Sequence, residues 1–197
     1  MEPTHSEPTY TRPPTGMAAS DTSNASSHSE GGEEIDCLSA SELIDRLREE
    51  ISRASRHGTA LSCLLVTIGN LEELSREHGG ELSRRTLVYV GTALRRQLRD
   101  FDRVGRPSER QLVLVLPGAD GPRGEVVARR VLERLRTIKI EADGKRQPLR
   151  ISVGLAAWRE GTSAEELLAQ TRAAAQRAAG VEASSGATAS PPALGRP

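Results

Sequence analysis

The sequence predicts an α/β fold of the α+β sandwich type, with one central mixed sheet flanked by helices. Between residues 38 and 180, continuous apolar runs typical of buried strands alternate with longer segments whose apolar residues recur every three or four positions, as in helices. These segments follow the order helix, strand, two helices, two strands, helix, strand, helix. Such interleaving is typical of a sheet covered by helices. A chain of 197 residues has room for one such domain and tails.

The first half of the domain has clear helix boundaries. A capping box from Ser39 to Glu42 opens the first helix, and Gly58 is expected to end it. The apolar run 60–68 predicts a buried strand. A short helix, ending at the two glycines 79–80, and a long helix up to about residue 99 complete this half.

The second half begins with two strands whose spacing predicts a hairpin, "DRVGR" and "QLVLVLP". Pro122 stands near the start of the next helix, as proline favours. The segment "PLRISVGLAAW" predicts another strand. A second capping box, from Ser163 to Glu166, opens the last helix, for which Gly180 is the expected end.

Composition separates the domain from its ends. Residues 1–35 and 181–197 are rich in small, polar and proline residues and contain few large apolar side chains, so both are predicted to be disordered tails. The folded domain is expected to span residues 38–180. Two cysteines cannot build a disulfide framework, and Cys63 is expected to be a small core residue.

Charge and motifs exclude several classes of function. The net charge is zero and aromatic residues make up 2% of the chain, so a nucleic-acid partner is not expected. No apolar run approaches the ~20 residues of a membrane span, and no signal peptide is recognisable, so a cytoplasmic location is expected. His57 and His78 are predicted to lie on the surface, and neither metal-ligand spacing nor a nucleophile motif is present. We therefore expect no metal and no cofactor.

Several phrases in this order resemble the GGDEF domain of bacterial diguanylate cyclases. They are "LIDRLREEISRASRHG", "LLVTIGNLEEL", "DRVGR" followed five residues later by "QLVLVLPG", "RISVGLAA" and "AEELLAQTRAAAQRA". The resemblance runs through nearly the whole predicted domain. It implies a nucleotidyl-cyclase-like fold.

The resemblance also implies that the signature has been replaced. In its register the five signature residues are Ser108-Glu109-Arg110-Gln111-Leu112. The two glycines that let a nucleotide phosphate approach the family's backbone become Ser108 and Glu109. The following carboxylate, which holds Mg²⁺ in the family, becomes Arg110.

Three further family positions are altered in the same register. The first metal-binding Asp corresponds to Thr67, and the two guanine-reading residues correspond to Ser75 and Arg84. Phosphoryl transfer in this family needs the metal to neutralise charge in the transition state. We therefore expect a degenerate GGDEF domain without catalytic residues, which is not an enzyme.

One ligand site of the family has counterparts here. The family's inhibitory site binds cyclic di-GMP through an Arg-x-x-Asp five residues before the signature, and Arg99 and Asp102 occupy those positions. Arg130 corresponds to a further arginine of that site. Guanidinium groups suit phosphates and guanine edges. The alternative is that all three are ordinary residues of an arginine-rich surface.

Two functions follow from this sequence. In the first, the chain is a non-enzymatic regulator or adaptor whose partner is another signalling protein, in a bacterial complex for polarity, motility or development, recruited to a place such as a cell pole. The former nucleotide cleft, with Arg84, Glu109 and Arg110 at its rim, would then face the partner. In the second, the chain is a cyclic di-GMP receptor that uses Arg99, Asp102 and Arg130.

Overall fold

The computed structural model describes residues 37–186, so the predicted tail at residues 1–35 lies outside the described part. Of the second predicted tail, at residues 181–197, only residues 187–197 lie outside it, and residues 181–186 belong to the last helix. The helices are α1 (Ala40–His57), α2 (Leu71–His78), α3 (Gly80–Arg95), α4 (Gly121–Arg136) and α5 (Ala164–Gly186). The strands are β1 (Leu61–Ile68), β2 (Arg103–Ser108), β3 (Gln111–Pro117), β4 (Lys139–Ala142), β5 (Lys145–Pro148) and β6 (Ile151–Ala157). Within this range no helix combines the length and the apolar character needed to cross a membrane.

The main sheet has the strand order β2-β3-β1-β6, and helices cover it, which confirms the predicted fold class. All pairs between these strands are antiparallel. The parallel pairing expected of a mixed sheet is confined to an isolated bridge between Leu38 and Gly105. Leu38, just before α1, therefore lies along the outer edge of β2.

Both faces of the sheet are buried, so its central strands are apolar at nearly every position. One face packs against α2, α3 and α4, and β1 and β3 present to it Leu64, Val66, Leu112 and Leu114. The other face packs against α1 and α5, and the same strands present to it Cys63, Leu65, Val113 and Val115. Cys63 is fully buried, and this burial raises the pKa of its thiol to about 12, as befits the predicted core residue.

The predicted helix starts are confirmed by their caps. Ser39 and Glu42 form the capping box of α1, and Gly58 ends that helix with a φ of 60°. Ser163 and Glu166 form the second box at the start of α5. The predicted end of α5 at Gly180 is wrong, because Gly180 does not take the left-handed conformation and the helix continues to Gly186.

A small hairpin of β4 and β5 was not predicted from the sequence. Its loop is Asp143-Gly144, with φ values of 49° and 72°, which are those of a type I′ turn. His78, predicted as a surface residue, is instead mostly buried against this hairpin. Its Nδ1 lies 2.9 Å from the Asp143 carboxylate, and its Nε2 lies 3.3 Å from the Gln147 amide. His78 therefore fastens the hairpin to the end of α2.

Candidate functional site

A cleft opens between α2, α3 and the β2–β3 hairpin. Its volume is about 710 Å³, and we call it the hairpin cleft. Four of the positions singled out in the sequence line it, namely Ser75, Arg84, Glu109 and Arg110. The other lining residues are Leu71, Glu72, Gly80, Ser83, Leu87 and Arg106. Thr67 and Ser108 are not among the lining residues.

The turn at the mouth of this cleft needs no glycine. Ser108 pairs with Gln111 across a loop of Glu109 and Arg110, and neither loop residue adopts a positive φ. A bulge in β2 between Gly105 and Ser108 contains Pro107, whose missing N–H is tolerated where the ladder is interrupted. The Ile68 N–H donates to the Arg110 carbonyl at 3.0 Å, which anchors the turn to the end of β1. Bulky side chains therefore fit on this backbone.

Ion pairs hold two of the cleft arginines. Arg110 Nη1 lies 2.6 Å from a carboxylate oxygen of Glu72 on α2. Arg84 makes a two-pronged contact with Glu81 on its own helix, with Nε at 3.0 Å and Nη2 at 2.8 Å. Its hydrogen bonds lower the pKa of the Glu81 carboxyl. Both pairs are exposed, so each contributes little to stability and can exchange its acidic partner for another.

Thr67 lies on a central strand of the sheet and does not line the cleft. It is the penultimate residue of β1 and stands opposite Gln111 on β3 and Ser152 on β6. Within residues 37–186, no group of three or more His, Cys, Asp or Glu side chains has the arrangement needed to hold a metal ion.

Sequence reasoning missed two charged members of the hairpin cleft. Arg106 contributes a third arginine from β2, and Glu72 contributes the carboxylate that holds Arg110. Arg106 stands just before the altered turn, so its position in the sequence was a usable signal. Glu72 could not be recognised, because its role depends on how α2 is placed against the hairpin.

The three residues of the predicted ligand site lie around one small cavity. Arg99, Asp102 and Arg130 line a space of about 170 Å³ behind the end of β3, which we call the Arg99 cavity. Arg123 and Val126, both from α4, line it as well. Sequence reasoning did not single out Arg123, although it lies seven residues, about two helical turns, before Arg130 on the same helix.

Asp102 is the buried acid of the Arg99 cavity. Its side chain accepts a hydrogen bond from the Arg99 N–H at 2.9 Å, and the residue is 5% exposed. Burial raises the pKa of this carboxyl, while the Arg99 N–H and the nearby arginine charges oppose the rise. The Arg130 side chain donates to the Gln97 carbonyl at 2.5 Å.

Arg99 itself lies beside an aromatic ring. Its guanidinium is 5.7 Å from the centre of the Phe101 ring, and Phe101 is 49% exposed. A cation over an exposed ring is a common binding arrangement for flat, anionic ligands such as nucleotides. The Arg99 cavity thus combines arginines and a carboxylate, and one of these arginines lies beside an exposed ring that is not itself a lining residue.

The sequence profile described as "Diguanylate cyclase, GGDEF domain" matches residues 40–182. The match covers most of the chain, and the protein belongs to the GGDEF domain family.

Two curated relatives are each 30% identical to this chain. One is the uncharacterized membrane protein YdaK of Bacillus subtilis, matched over 95 residues that make up 48% of this chain and 34% of YdaK. The other is the diguanylate cyclase DgcP of Pseudomonas aeruginosa, matched over 128 residues that make up 63% of this chain and 18% of DgcP. The chain thus spans about a third and about a fifth of these relatives.

Solved structures share the same fold. The diguanylate cyclase SiaD of Pseudomonas aeruginosa, solved in complex with its activator SiaC, superposes with a TM-score of 0.67 and 26% identity, covering 71% of this chain and 54% of SiaD. The GGDEF domain of DgcB from Caulobacter crescentus, solved in complex with c-di-GMP, gives a TM-score of 0.68 and 13% identity, covering 76% and 92%. At that identity the likeness to DgcB concerns the fold alone.

Proposed function

We propose that this chain is a non-enzymatic regulatory or adaptor protein that acts by binding another protein of a bacterial signalling complex. The observation that carries the proposal is the hairpin turn, where Glu109 and Arg110 stand at the mouth of the cleft and Arg110 pairs with Glu72. In the GGDEF domains that this sequence resembles, the signature at these positions has glycines and a metal-binding carboxylate. A guanidinium in that place repels the divalent cation that the reaction needs.

The residues at two other altered family positions support the same function. Mg²⁺ is usually held by one or two carboxylates together with substrate phosphates. Thr67 offers a hydroxyl in place of the expected carboxylate, and Arg84 offers a cation in place of a guanine-reading acid. GTP would therefore find no carboxylate at these two positions to hold its Mg²⁺ or to accept hydrogen bonds from its guanine. The same charged, exposed rim offers polar groups to a protein partner. SiaD, which shares this fold, was solved in complex with its activator SiaC.

Incubation of the full chain with GTP and Mg²⁺ tests the catalytic half of the proposal. We expect no cyclic di-GMP in a chromatographic assay, even with Mn²⁺ in place of Mg²⁺ or with the protein at high concentration. The GGDEF domain of DgcP serves as the positive control. Formation of cyclic di-GMP by the purified full chain would overturn the proposal, and its loss in Arg110→Ala would show that Arg110 acts in catalysis.

Site-specific photo-cross-linking in cells tests the binding half. A photoreactive amino acid at position 110 in the hairpin cleft is compared with one at the exposed position 129 on α4. We expect a discrete adduct from position 110 that is absent from position 129. Identical adducts from both positions would mean that the cleft is not the partner-binding surface.

The Arg99 cavity supports a second function, that of a cyclic di-GMP receptor. Arg99, Asp102 and Arg130 lie together there, with Arg123 beside them. Calorimetric titration of cyclic di-GMP into the full chain tests it, with Arg130→Ala as the site variant and Arg129→Ala as the control on the same helix. Micromolar binding that only Arg130→Ala weakens would support the receptor. No heat with the unaltered chain would contradict it.

A further inference from the structure

A basic groove lies between α3 and the free edge of β4. It has a volume of about 730 Å³, and Leu82, Thr86 and Ile140 are among its lining residues. Tyr89 lines it too and is 54% exposed. A smaller concavity of about 350 Å³ shares Tyr89, Lys139 and Glu141 with it. We call the two together the α3–β4 groove.

The charge of this groove is strongly one-sided although the chain as a whole is neutral. Its acidic lining residues are Glu81 and Glu141, and Glu81 is already paired with Arg84. Its basic lining residues are Arg84, Arg85, Arg96, Arg134, Lys139 and Arg146. An excess of cations in a concave surface attracts an acidic ligand and raises its rate of encounter.

The backbone of β4 adds a second requirement to the ligand. Across the type I′ turn, Ala142 and Lys145 are the closing pair, which in such hairpins exchanges hydrogen bonds. The pairs then alternate, so the N–H and C=O groups of Glu141 and Lys139 are directed away from β5. Lys139 stands opposite Pro148, which has no N–H to donate. Proline is therefore tolerated there, because Lys139 and Pro148 form a pair that exchanges no hydrogen bonds.

Those outward backbone groups lie along the groove. Among the described strands, β4 pairs with β5 alone, so its other edge is free. A free edge bordered by a groove is the setting in which an extended peptide adds as a further strand. Nucleic acid could match the charge, but it has no peptide groups to pair with Lys139 and Glu141.

We propose that the α3–β4 groove binds an extended acidic segment of a partner protein, which adds a strand to the free edge of β4 and packs an apolar side chain on Tyr89. This surface is separate from the turn of the hairpin cleft, and Arg84 lines both. A protein that binds partners at two neighbouring surfaces can bring them together. The inference does not depend on the absence of catalysis, because a peptide on β4 is compatible with an active or an inactive cleft.

Fluorescence anisotropy with the full chain tests the proposal. The probe is a labelled octapeptide that alternates Glu and Val, and its control alternates Lys and Val. We expect saturable binding of the acidic peptide that weakens at least tenfold as salt rises from about 0.05 M to about 0.5 M, since screening shortens the Debye length. No saturable binding, or equal binding of the basic peptide, would overturn the proposal.

Paired variants separate strand addition from simple charge attraction. Glu141→Pro removes the outward N–H, whereas Glu141→Ala removes the side chain and keeps that N–H. We expect at least a tenfold loss of affinity from the first and no loss from the second. Equal affinities of the two variants would exclude strand addition. Arg85→Glu and Tyr89→Ala, each also expected to weaken binding about tenfold, decide the matter if Glu141→Pro does not fold, with Arg129→Glu as the control.

Two other occupants are distinguishable outcomes. The chain's own acidic residues Glu33, Glu34 and Asp36 could compete for the groove. If changing them to Gln, Gln and Asn tightened peptide binding tenfold or more, the chain itself would be the occupant and the partner would be ruled out. A dimer of the full chain in sedimentation that Arg85→Glu dissociates would likewise assign the groove to a second copy. Neither result would affect the GTP assay.

Discussion

Single polar side chains join parts of this molecule that are far apart in the sequence. Asn70, the residue before α2, donates from its amide to the Pro148 carbonyl at 3.0 Å and accepts from the Arg150 N–H at 2.9 Å. Asn70 is 8% exposed, and both of its hydrogen bonds are partly buried. Asn70 thereby holds the start of α2, one wall of the hairpin cleft, against the end of β5 and the residues that lead to β6.

Removing this side chain should destabilise the fold measurably. Asn70→Ala leaves a backbone N–H and a carbonyl without partners, and we expect a loss of about 2 kcal/mol in the free energy of unfolding by urea denaturation. Asn70→Asp keeps the acceptor for Arg150 and removes the donor to Pro148. Its loss of stability, compared with that of Asn70→Ala, therefore shows how much each of the two hydrogen bonds contributes. An unchanged unfolding midpoint for Asn70→Ala would contradict this role.

Asp102 should make stability depend on pH in the acid range. Because burial raises the pKa of its carboxyl above the ordinary 3.8, the folded state favours the protonated form. This contribution is fully present below the ordinary pKa and is lost as pH rises through the folded value. Relative to Asp102→Asn, the unaltered chain should therefore lose thermal stability as pH rises from below 3.8 toward neutrality.

Melting temperatures across that pH range provide the measurement. Asp100→Asn, at an exposed neighbouring position, serves as the control for removing one negative charge. A difference between the unaltered chain and Asp102→Asn that stays constant with pH, or changes in the opposite direction, would show that burial does not govern this carboxyl.

At the scale of elements, β6 and α5 pack closely at Gly154. A Cβ atom on Gly154 would lie 2.1 Å from the Ala175 nitrogen and 2.5 Å from the Thr171 carbonyl oxygen. These are backbone atoms of a helix and cannot move aside as a flexible side chain can. The absence of a side chain at Gly154 is therefore what lets α5 pack on the sheet.

Gly154→Ala should separate these two elements. We expect a loss of about 3 kcal/mol in the free energy of unfolding, because overpacking forces the backbone to shift. Gly121→Ala is the matched control, since a Cβ there meets open space at the start of α4 and alanine favours helix. Equal stabilities of the two variants in thermal melts would contradict the close packing.

The two hairpins illustrate what local sequence can and cannot indicate. The Asp143-Gly144 pair is a strong type I′ signal and could have predicted the β4–β5 hairpin, although its short strands hid it. The Glu109–Arg110 turn has no such signal, because neither residue takes a positive φ. Its hairpin was nevertheless predicted, from the spacing of the two strands on either side.

At the scale of the whole molecule, the hairpin cleft should be unresponsive to nucleotide. A ligand present at one hundred times its Kd stabilises a folded protein by about 2.7 kcal/mol. We expect millimolar GTP with Mg²⁺ to leave the melting temperature of the full chain unchanged. The same scan on the GGDEF domain of DgcP should show a rise. A rise in this chain that Arg84→Ala removes would mean that the cleft still binds GTP.

The sequence by itself determined the fold class, the family and the helix starts. Strand runs such as 60–68 are buried on both faces and so are continuously apolar, and capping boxes such as Ser39–Glu42 depend on neighbouring residues alone. The sequence also identified those residues of the hairpin cleft and the Arg99 cavity that align with functional positions of the GGDEF family. All of these signals are local, or depend on position along the chain.

Only the tertiary structure decided which charges meet. The pairing of Arg110 with Glu72, the burial of His78 against the β4–β5 hairpin and the joining of Arg123 to the Arg99 cavity all link residues from separate elements. The basic α3–β4 groove is likewise invisible in a neutral composition. Contacts of this kind depend on how helices are placed on the sheet, and no spacing within one element encodes that placement.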